Sequence, residues 1–217
     1  TNKKGKYIGV TGSVGKSTVV TMLYELVKDK RSNVILAGNI GDPLINYLDV
    51  INKDTIIILE ISSFQIDDFK RMKFNIALLL NIYDNHLDFY KCKQRYYMSK
   101  LNIINNQSKK DYFITDLKNE IVSKYIKHIN INSKVIDFKK ESNVINKELY
   151  YRGNKIIDID SFPLKGDHNL FNLMSVICVM KVLNIDISNS VIRKLTPLKY
   201  HLEVNEYKGI TFINDSK

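Results

Sequence analysis

Residues 7–18, YIGVTGSVGKST, constrain the fold more than any other stretch. An apolar run, Tyr7-Ile8-Gly9-Val10, breaks into a glycine-rich turn at 11–15 and passes through Lys16-Ser17-Thr18 into a helical pattern. A strand, a glycine loop and a helix in that order collect backbone N–H groups at a helix N-terminus. Glycine lets backbone approach a ligand, the helix dipole favours anions, and Lys16 adds a full charge, so the segment suits phosphate. Gly12, Ser13, Gly15, Lys16, Ser17 and Thr18 are the candidate phosphate-binding residues. Ser17 stands where the hydroxyl of a phosphate loop holds Mg²⁺. The common GxxxxGK[ST] spacing would require glycine at Val10, whereas the glycines are Gly9, Gly12 and Gly15. A plain glycine turn capped by a surface lysine is the competing reading, and the flanking strand and helix weigh against it.

The rest of the chain alternates short apolar runs with helical patterns. Residues 16–28 carry a buried stripe of Val19, Val20, Met22, Leu23, Leu26 and Val27, which predicts a helix. Runs at 34–37, 55–59 and 76–80 read as strands of the fully buried parallel type, and 112–115 and 135–137 as further strands flanking a helical segment. Helical patterns are expected at 44–48, 90–104, 117–128 and 188–194, with a further helix starting at 166–169. Residues 149–159 and 204–214 read as hairpins turning at Arg152-Gly153-Asn154 and Lys208-Gly209. The expected fold is therefore α/β and P-loop-containing, a mostly parallel doubly wound sheet with a smaller antiparallel β portion.

Chemistry-bearing residues fall at strand ends. Glu60 closes the 55–59 run, at the carboxyl edge where open α/β sheets bind ligands and where a second Mg²⁺ ligand belongs in a P-loop fold. A solvated acid is the plain alternative. His86 lies between acids after the 76–80 run and can bind metal, transfer a proton or cap a loop. Asn169 and Asn172 lie three apart on one helix face, where two amides on exposed first turns can read a base edge or simply meet solvent.

Composition narrows the partners. The net charge of +10 suits anionic ligands, but lysine and arginine are scattered through a chain rich in Lys, Asn, Ile and Tyr. A basic module binding nucleic acid is thus the weaker reading, and no nucleic-acid partner is expected. Cys92 and Cys178 are far apart and match no metal spacing, as expected of free thiols in a reducing cytoplasm. No stretch reaches the length of a membrane span, so no membrane association is expected.

Taken in order, Gly12-x-x-Gly15-Lys16-Ser17, Gly38-Asn39-Ile40-Gly41-x-Pro43, Glu60-Ile61-Ser62-Ser63-Phe64-Gln65, Asn85-His86-Leu87-Asp88-x-Tyr90, Lys100, Gly166-x-His168-Asn169-x-x-Asn172 and Asn214-Asp215-Ser216-Lys217 resemble the Mur ligases. These are ATP-dependent amide ligases of peptidoglycan precursor synthesis in the cytoplasm. The run from Glu60 to Gln65 is similar to the branch that adds D-glutamate to UDP-N-acetylmuramoyl-L-alanine through an acyl phosphate. The resemblance implies ATP and Mg²⁺ as cofactors, those two substrates as partners, and a monomer. It assigns 1–198 to a central ATP-binding domain and 199–217 to the first hairpin of a truncated C-terminal Rossmann-like domain. It therefore implies a chain that holds ATP and Mg²⁺ without completing ligation alone.

The same resemblance implies residue roles. Lys16, His86 and Lys100 would be catalytic. Ser17, Glu60, His86 and a carbamylated Lys100 would serve metal. Asn39, Ser62 and Gln65 would face the muramoyl substrate. Asn169 and Asn172 would contact adenine, and Asp215 the ribose. Lys217 matches the lysine of that last motif. The chain departs from the family at Val14 and Asn85, where asparagine and aspartate are usual, at Tyr83, which replaces a small residue, and at Leu202, where arginine is usual. A missing hydrogen bond to a charged group costs about 1.5–3 kcal/mol, so weakened catalysis is expected. Another ligase of the superfamily, of the folylpolyglutamate synthase type, is the nearest alternative, and the Ser62-Ser63-Phe64-Gln65 run argues against it.

Overall fold

The apolar runs become one parallel sheet. In a computed structural model of the chain, residues 4–84, 90, 92–198 and 203–214 are described. Strands β1 (Lys6–Thr11), β2 (Val34–Gly38), β3 (Ile56–Glu60), β4 (Ile76–Leu79), β5 (Tyr112–Thr115) and β6 (Lys134–Asp137) form a six-stranded sheet in the order β2-β3-β1-β4-β5-β6. Every pairing in it is parallel. Alternation along each strand sends side chains to two separate cores. Ile8, Val10, Ile58 and Leu78 join one core with helices α1 (Lys16–Lys28) and α6 (Asp167–Val182). Tyr7, Ile57, Leu79 and Phe113 join the other with α2 (Ser63–Asp68) and α3 (Lys93–Leu101). A sheet covered on both faces needs no polar face, which is why its strands read as continuous apolar runs.

Two antiparallel pieces complete the described chain. Strands β7 (Ser142–Ile145), β8 (Glu148–Tyr151) and β9 (Asn154–Asp158) form a three-stranded sheet. Its Leu149, Tyr151 and Ile157 pack into the α1/α6 core. Strands β10 (Glu203–Tyr207) and β11 (Ile210–Asn214) pair only with each other and expose Tyr207, Ile210, Phe212 and Ile213. The expected fold class, both hairpins and the α1 boundaries are observed.

Differences are local. The helix expected at 44–48 is a 3₁₀ turn over Leu44–Tyr47. The helix expected from 117 starts at α4 (Glu120–Tyr125), because the Asn119 side chain accepts the Val122 N–H and sets the start. The helix expected over 90–104 is α-helical only from Lys93 to Leu101 and tightens to 3₁₀ at Asn102–Ile104. The one-turn helix α5 (Phe138–Glu141) and strand β7 carry no periodic signal, being too short for one. The single turn α7 (Asn189–Ile192) lies within the expected 188–194 segment.

Gly9, which fits no common phosphate-loop spacing, has a packing role. A Cβ there would lie 2.8–2.9 Å from three atoms of the buried Phe74 ring. Substitution Gly9→Ala is expected to destabilise the chain by about 1–3 kcal/mol through overpacking. Urea unfolding measures the loss, and Phe74→Leu in the same chain should recover part of it.

Candidate functional site

The carboxyl ends of β1, β3 and β4 lie side by side, with Val10 level with Glu60 and Thr11 level with Leu79. β1 then turns into α1 through the glycine loop. Gly15 caps the helix at φ 87°, without a side-chain hydrogen bond. A Cβ at Gly15 would lie 2.7 Å from Asn172 Oδ1, so glycine is required by conformation and by contact. The helical ladder opens with Val19 N–H donating to Gly15 O at 3.0 Å. The N–H groups of Lys16, Ser17 and Thr18 precede that bond and remain for a ligand.

Two lysines meet at one carbonyl. Lys16 Nζ donates to Gly12 O at 2.9 Å and to Ser13 O at 3.3 Å. Lys100 Nζ, brought from α3, donates to the same Gly12 O at 3.0 Å and sits 4.9 Å from the Tyr96 ring centre. Burial lowers the Lys16 ammonium below its usual range, and Glu60 partly restores it. Burial, and then the charge of Lys16, push Lys100 down to about 7. Lys100 is only 2% exposed, so it is not the solvated helix lysine its sequence position also allows.

Glu60 faces the loop from β3 and is itself 2% exposed. Its Oε1 accepts from Asn39 Nδ2 at 3.0 Å, and its backbone oxygen accepts the Asn39 N–H at 2.9 Å. Gly38 permits that approach, since a Cβ there would meet Glu60 O at 2.2 Å. Glu60 Oε2 is buried without a hydrogen-bond partner. A desolvated carboxylate oxygen with no donor is suited to a cation. Among the described residues no group of three His, Cys, Asp or Glu side chains gathers. A hard cation here would therefore rely on few protein ligands, as Mg²⁺ does beside phosphates.

Ser13, Gly15, Lys16, Ser17, Thr18 and Glu60 line one cleft of about 670 Å³, which also takes in Asn39, Asn169 and Asn172, whereas Gly12 and Lys100 lie behind the lining residues. Asn172, expected on an exposed turn, is 7% exposed, with its Nδ2 3.4 Å from Asn169 Oδ1. The cleft continues past Asp116, Phe138, Lys139 and Phe171. Lys139 pairs with Asp116 at 2.8 Å and sits 4.0 Å from the Phe171 ring centre. None of these four carries a sequence signal, because they come from the loop after β5, from the one-turn helix α5 and from a face of α6. Asn81 and Tyr83 also line the cleft.

Some expected residues lie elsewhere. Ser62 and Gln65 are outside the cleft lining and form a capping box on α2: Gln65 N–H donates to Ser62 Oγ at 3.3 Å, and Ser62 N–H to Gln65 Oε1 at 2.9 Å. Ser13 lines the cleft, but its hydroxyl is engaged with the Tyr83 backbone and Tyr96 Oη. His86, Asn85, Asp215, Lys217 and Leu202 lie outside the described residues.

A buried lysine with a depressed pKa lowers stability most where both states hold the proton. That penalty is complete below about pH 7 and fades toward the ordinary lysine value. Lys100→Met is therefore expected to stabilise the chain more at about pH 6 than at about pH 10, by a difference of roughly 2–4 kcal/mol. Denaturant unfolding in CO₂-free buffer at the two pH values checks this.

Residues 10–180 match the family model of the Mur ligase middle domain. The chain is 37% identical over 219 residues to the UDP-N-acetylmuramoylalanine--D-glutamate ligase of Francisella philomiragia, covering 100% of this chain and 49% of that protein. It is 31% identical over 218 residues to the ligase of the same name from a Geobacillus species, covering 97% of this chain and 48% of that protein. The chain thus spans about half the length of the curated relatives it matches. Among solved structures, the MurF ligase of Thermotoga maritima in complex with ADP superposes with a TM-score of 0.75 at 22% identity, over 99% of this chain and 54% of that one.

Proposed function

The chain belongs to the Mur ligase family, and on that premise we propose that it is the ATP- and Mg²⁺-binding part of an enzyme that joins D-glutamate to UDP-N-acetylmuramoyl-L-alanine. The observation that carries this reading is the shared cleft. A phosphate-binding helix start with Lys16 faces a buried carboxylate, Glu60, whose Oε2 has no partner. The cleft pairs an anion cradle with a cation ligand, the requirement of phosphoryl transfer. Relatives named for the D-glutamate reaction cover the whole chain, which supports the substrate choice.

Each residue then has a task. The N–H groups at 16–18 and Lys16 Nζ hold phosphate oxygens. Ser17 and Glu60 would hold Mg²⁺, which would supply positive charge beside the phosphate oxygens. Asn39 fixes Glu60 by its hydrogen bond to Oε1. Asn169 and Asn172 line the cleft on the α6 side, in position to contact the base. The reaction forms an acyl phosphate on the muramoyl substrate, which the D-glutamate amine then displaces. These side chains align and neutralise rather than react. Asn39, Ser62 and Gln65 remain assigned to the substrate side, His86 to metal and Asp215 to the ribose.

Lys100 is assigned as a carbamate. A neutral amine adds CO₂ and releases a proton, and a lysine lowered to about 7 is substantially neutral at neutral pH. The product is an anion beside Lys16, which removes the like-charge repulsion between the two lysines. Residues 1–198 are assigned as the central domain and 199–217 as the beginning of the next. The separate β10–β11 hairpin with its exposed apolar side chains supports that division. No helix among the described residues is long and apolar enough to cross a membrane.

Calorimetry of ATP binding with and without Mg²⁺ tests the assignment. The chain should bind ATP more tightly with Mg²⁺, and Glu60→Gln, which keeps the shape but loses the charge, should abolish that difference. Equal affinities with and without Mg²⁺ in the unaltered chain would count against the site. Intact mass should show one added CO₂ on Lys100, lost as the pH falls well below 7.

A further inference from the structure

Val14, at the tip of the phosphate loop, is 55% exposed, and its side chain cannot form a polar contact. The loop is nevertheless held firmly, and the hold comes from β4. Asn81, two residues beyond that strand, accepts the Ser13 N–H at 3.0 Å and the Val14 N–H at 3.1 Å on Oδ1. Its Nδ2 donates to Val14 O at 3.1 Å, and its backbone oxygen accepts the Ser13 N–H at 3.1 Å. One amide thus satisfies donors and an acceptor on two consecutive loop residues. The asparagine amide offers an accepting oxygen and a donating nitrogen on one neutral planar group.

We propose that Asn81 is the positioning residue of the phosphate loop, clamping Ser13–Val14 so that Gly15 and the first turn of α1 are set to receive phosphate. The clamp acts at the peptide units immediately before Gly15, whose left-handed conformation directs the chain into α1. Without it, Ser13 keeps one backbone bond, the hydroxyl contacts to Tyr83 and Tyr96 remain, and Val14 is left with no polar anchor from β4. The loop would then sample conformations in which the N–H groups at 16–18 and Lys16 no longer converge. A ligand held by those groups must first restore the order, which weakens binding in proportion to the population lost. The role rests on the nucleotide reading above for its ligand, but the clamp has a signature that needs no ligand.

The test has two arms, amide exchange and ligand binding, and compares the unaltered chain with Asn81→Ala and Asn81→Asp. In amide hydrogen exchange without ligand, Asn81→Ala should accelerate Val14 at least about tenfold while amides of β1 such as Ile8 and Val10 keep their protection. Asn81→Asp retains the accepting oxygen but loses the donor to Val14 O, so Val14 should exchange at a rate between those of the unaltered chain and Asn81→Ala, and a variant that merely misfolds is distinguished by loss of β1 protection. Unchanged exchange at Val14 in Asn81→Ala overturns the proposal whatever the ligand. In the second arm, Asn81→Ala should weaken Mg-ATP binding at least about tenfold while leaving the weak binding of adenosine unchanged. Equal loss for ATP and adenosine, or no loss for either, would mean that Asn81 does not set the phosphate loop. If the unaltered chain binds no ATP while the exchange signature holds, the nucleotide reading fails and the positioning role toward phosphate fails with it.

Discussion

Parallel register is the constraint on which the site depends. β1 sits between β3 and β4, level with Glu60 on one side and Leu79 on the other. Three segments far apart in sequence therefore end at the same height along one sheet edge. The glycine loop, the buried acid and the asparagine that grips the loop all stand at those ends or within two residues of them. A shift of a strand by one residue would turn its side chains to the opposite core and carry the site residue out of reach. The two cores, one built on α1 and α6 and the other on α2 and α3, hold the register against such a slip.

The edge so formed is electrostatically unfavourable in isolation. Two lysine side chains donate to the Gly12 carbonyl, and the pKa of one, Lys100, is pushed down to about 7 by burial and by the charge of the other. Across the cleft a desolvated carboxylate oxygen has no donor. Neither arrangement helps the chain to fold, because each leaves charge away from water without full compensation. On the proposed nucleotide reading, a phosphate and a cation between them would compensate both. The strain is supported by the large apolar cores beneath, as is usual where binding sites trade against stability.

The sequence disclosed what is local and withheld what is assembled. The glycine loop, the buried strands and α1 were legible because spacing and periodicity act within a dozen residues, and α1 runs over Lys16–Lys28 as expected. Glu60 was legible because a charge closing an apolar run stands at the sheet edge, where a ligand can meet it. Asn81 was not: an asparagine after a strand is an ordinary turn residue until the loop it touches, 67 residues earlier, is placed beside it. Ser62 and Gln65 show the converse. Their motif pointed to a substrate, while the Ser-x-x-Gln spacing also encodes a capping box that fixes α2. The Val14 departure looked like a loss of bracing, yet the bracing comes from the other side of the loop. Gly9 looked like a misplaced phosphate-loop glycine and instead makes room for Phe74.

The hydroxyl of Ser13 joins three distant parts of the chain through one oxygen: it bonds the Tyr83 backbone and Tyr96 Oη while belonging to the loop itself. Tyr96 in turn packs 5.4 Å from Tyr90, which stacks 5.4 Å from Phe64 on α2. Such a junction lays a contiguous path of contacts from the loop to the α2–α3 side. Whatever free energy a nucleotide contributes by ordering the loop, it must share with the aromatic column behind it. If a nucleotide on the loop favours one arrangement of that column, reciprocity requires that a molecule on α2 favouring the same arrangement raise nucleotide affinity by the factor by which the nucleotide raises its own.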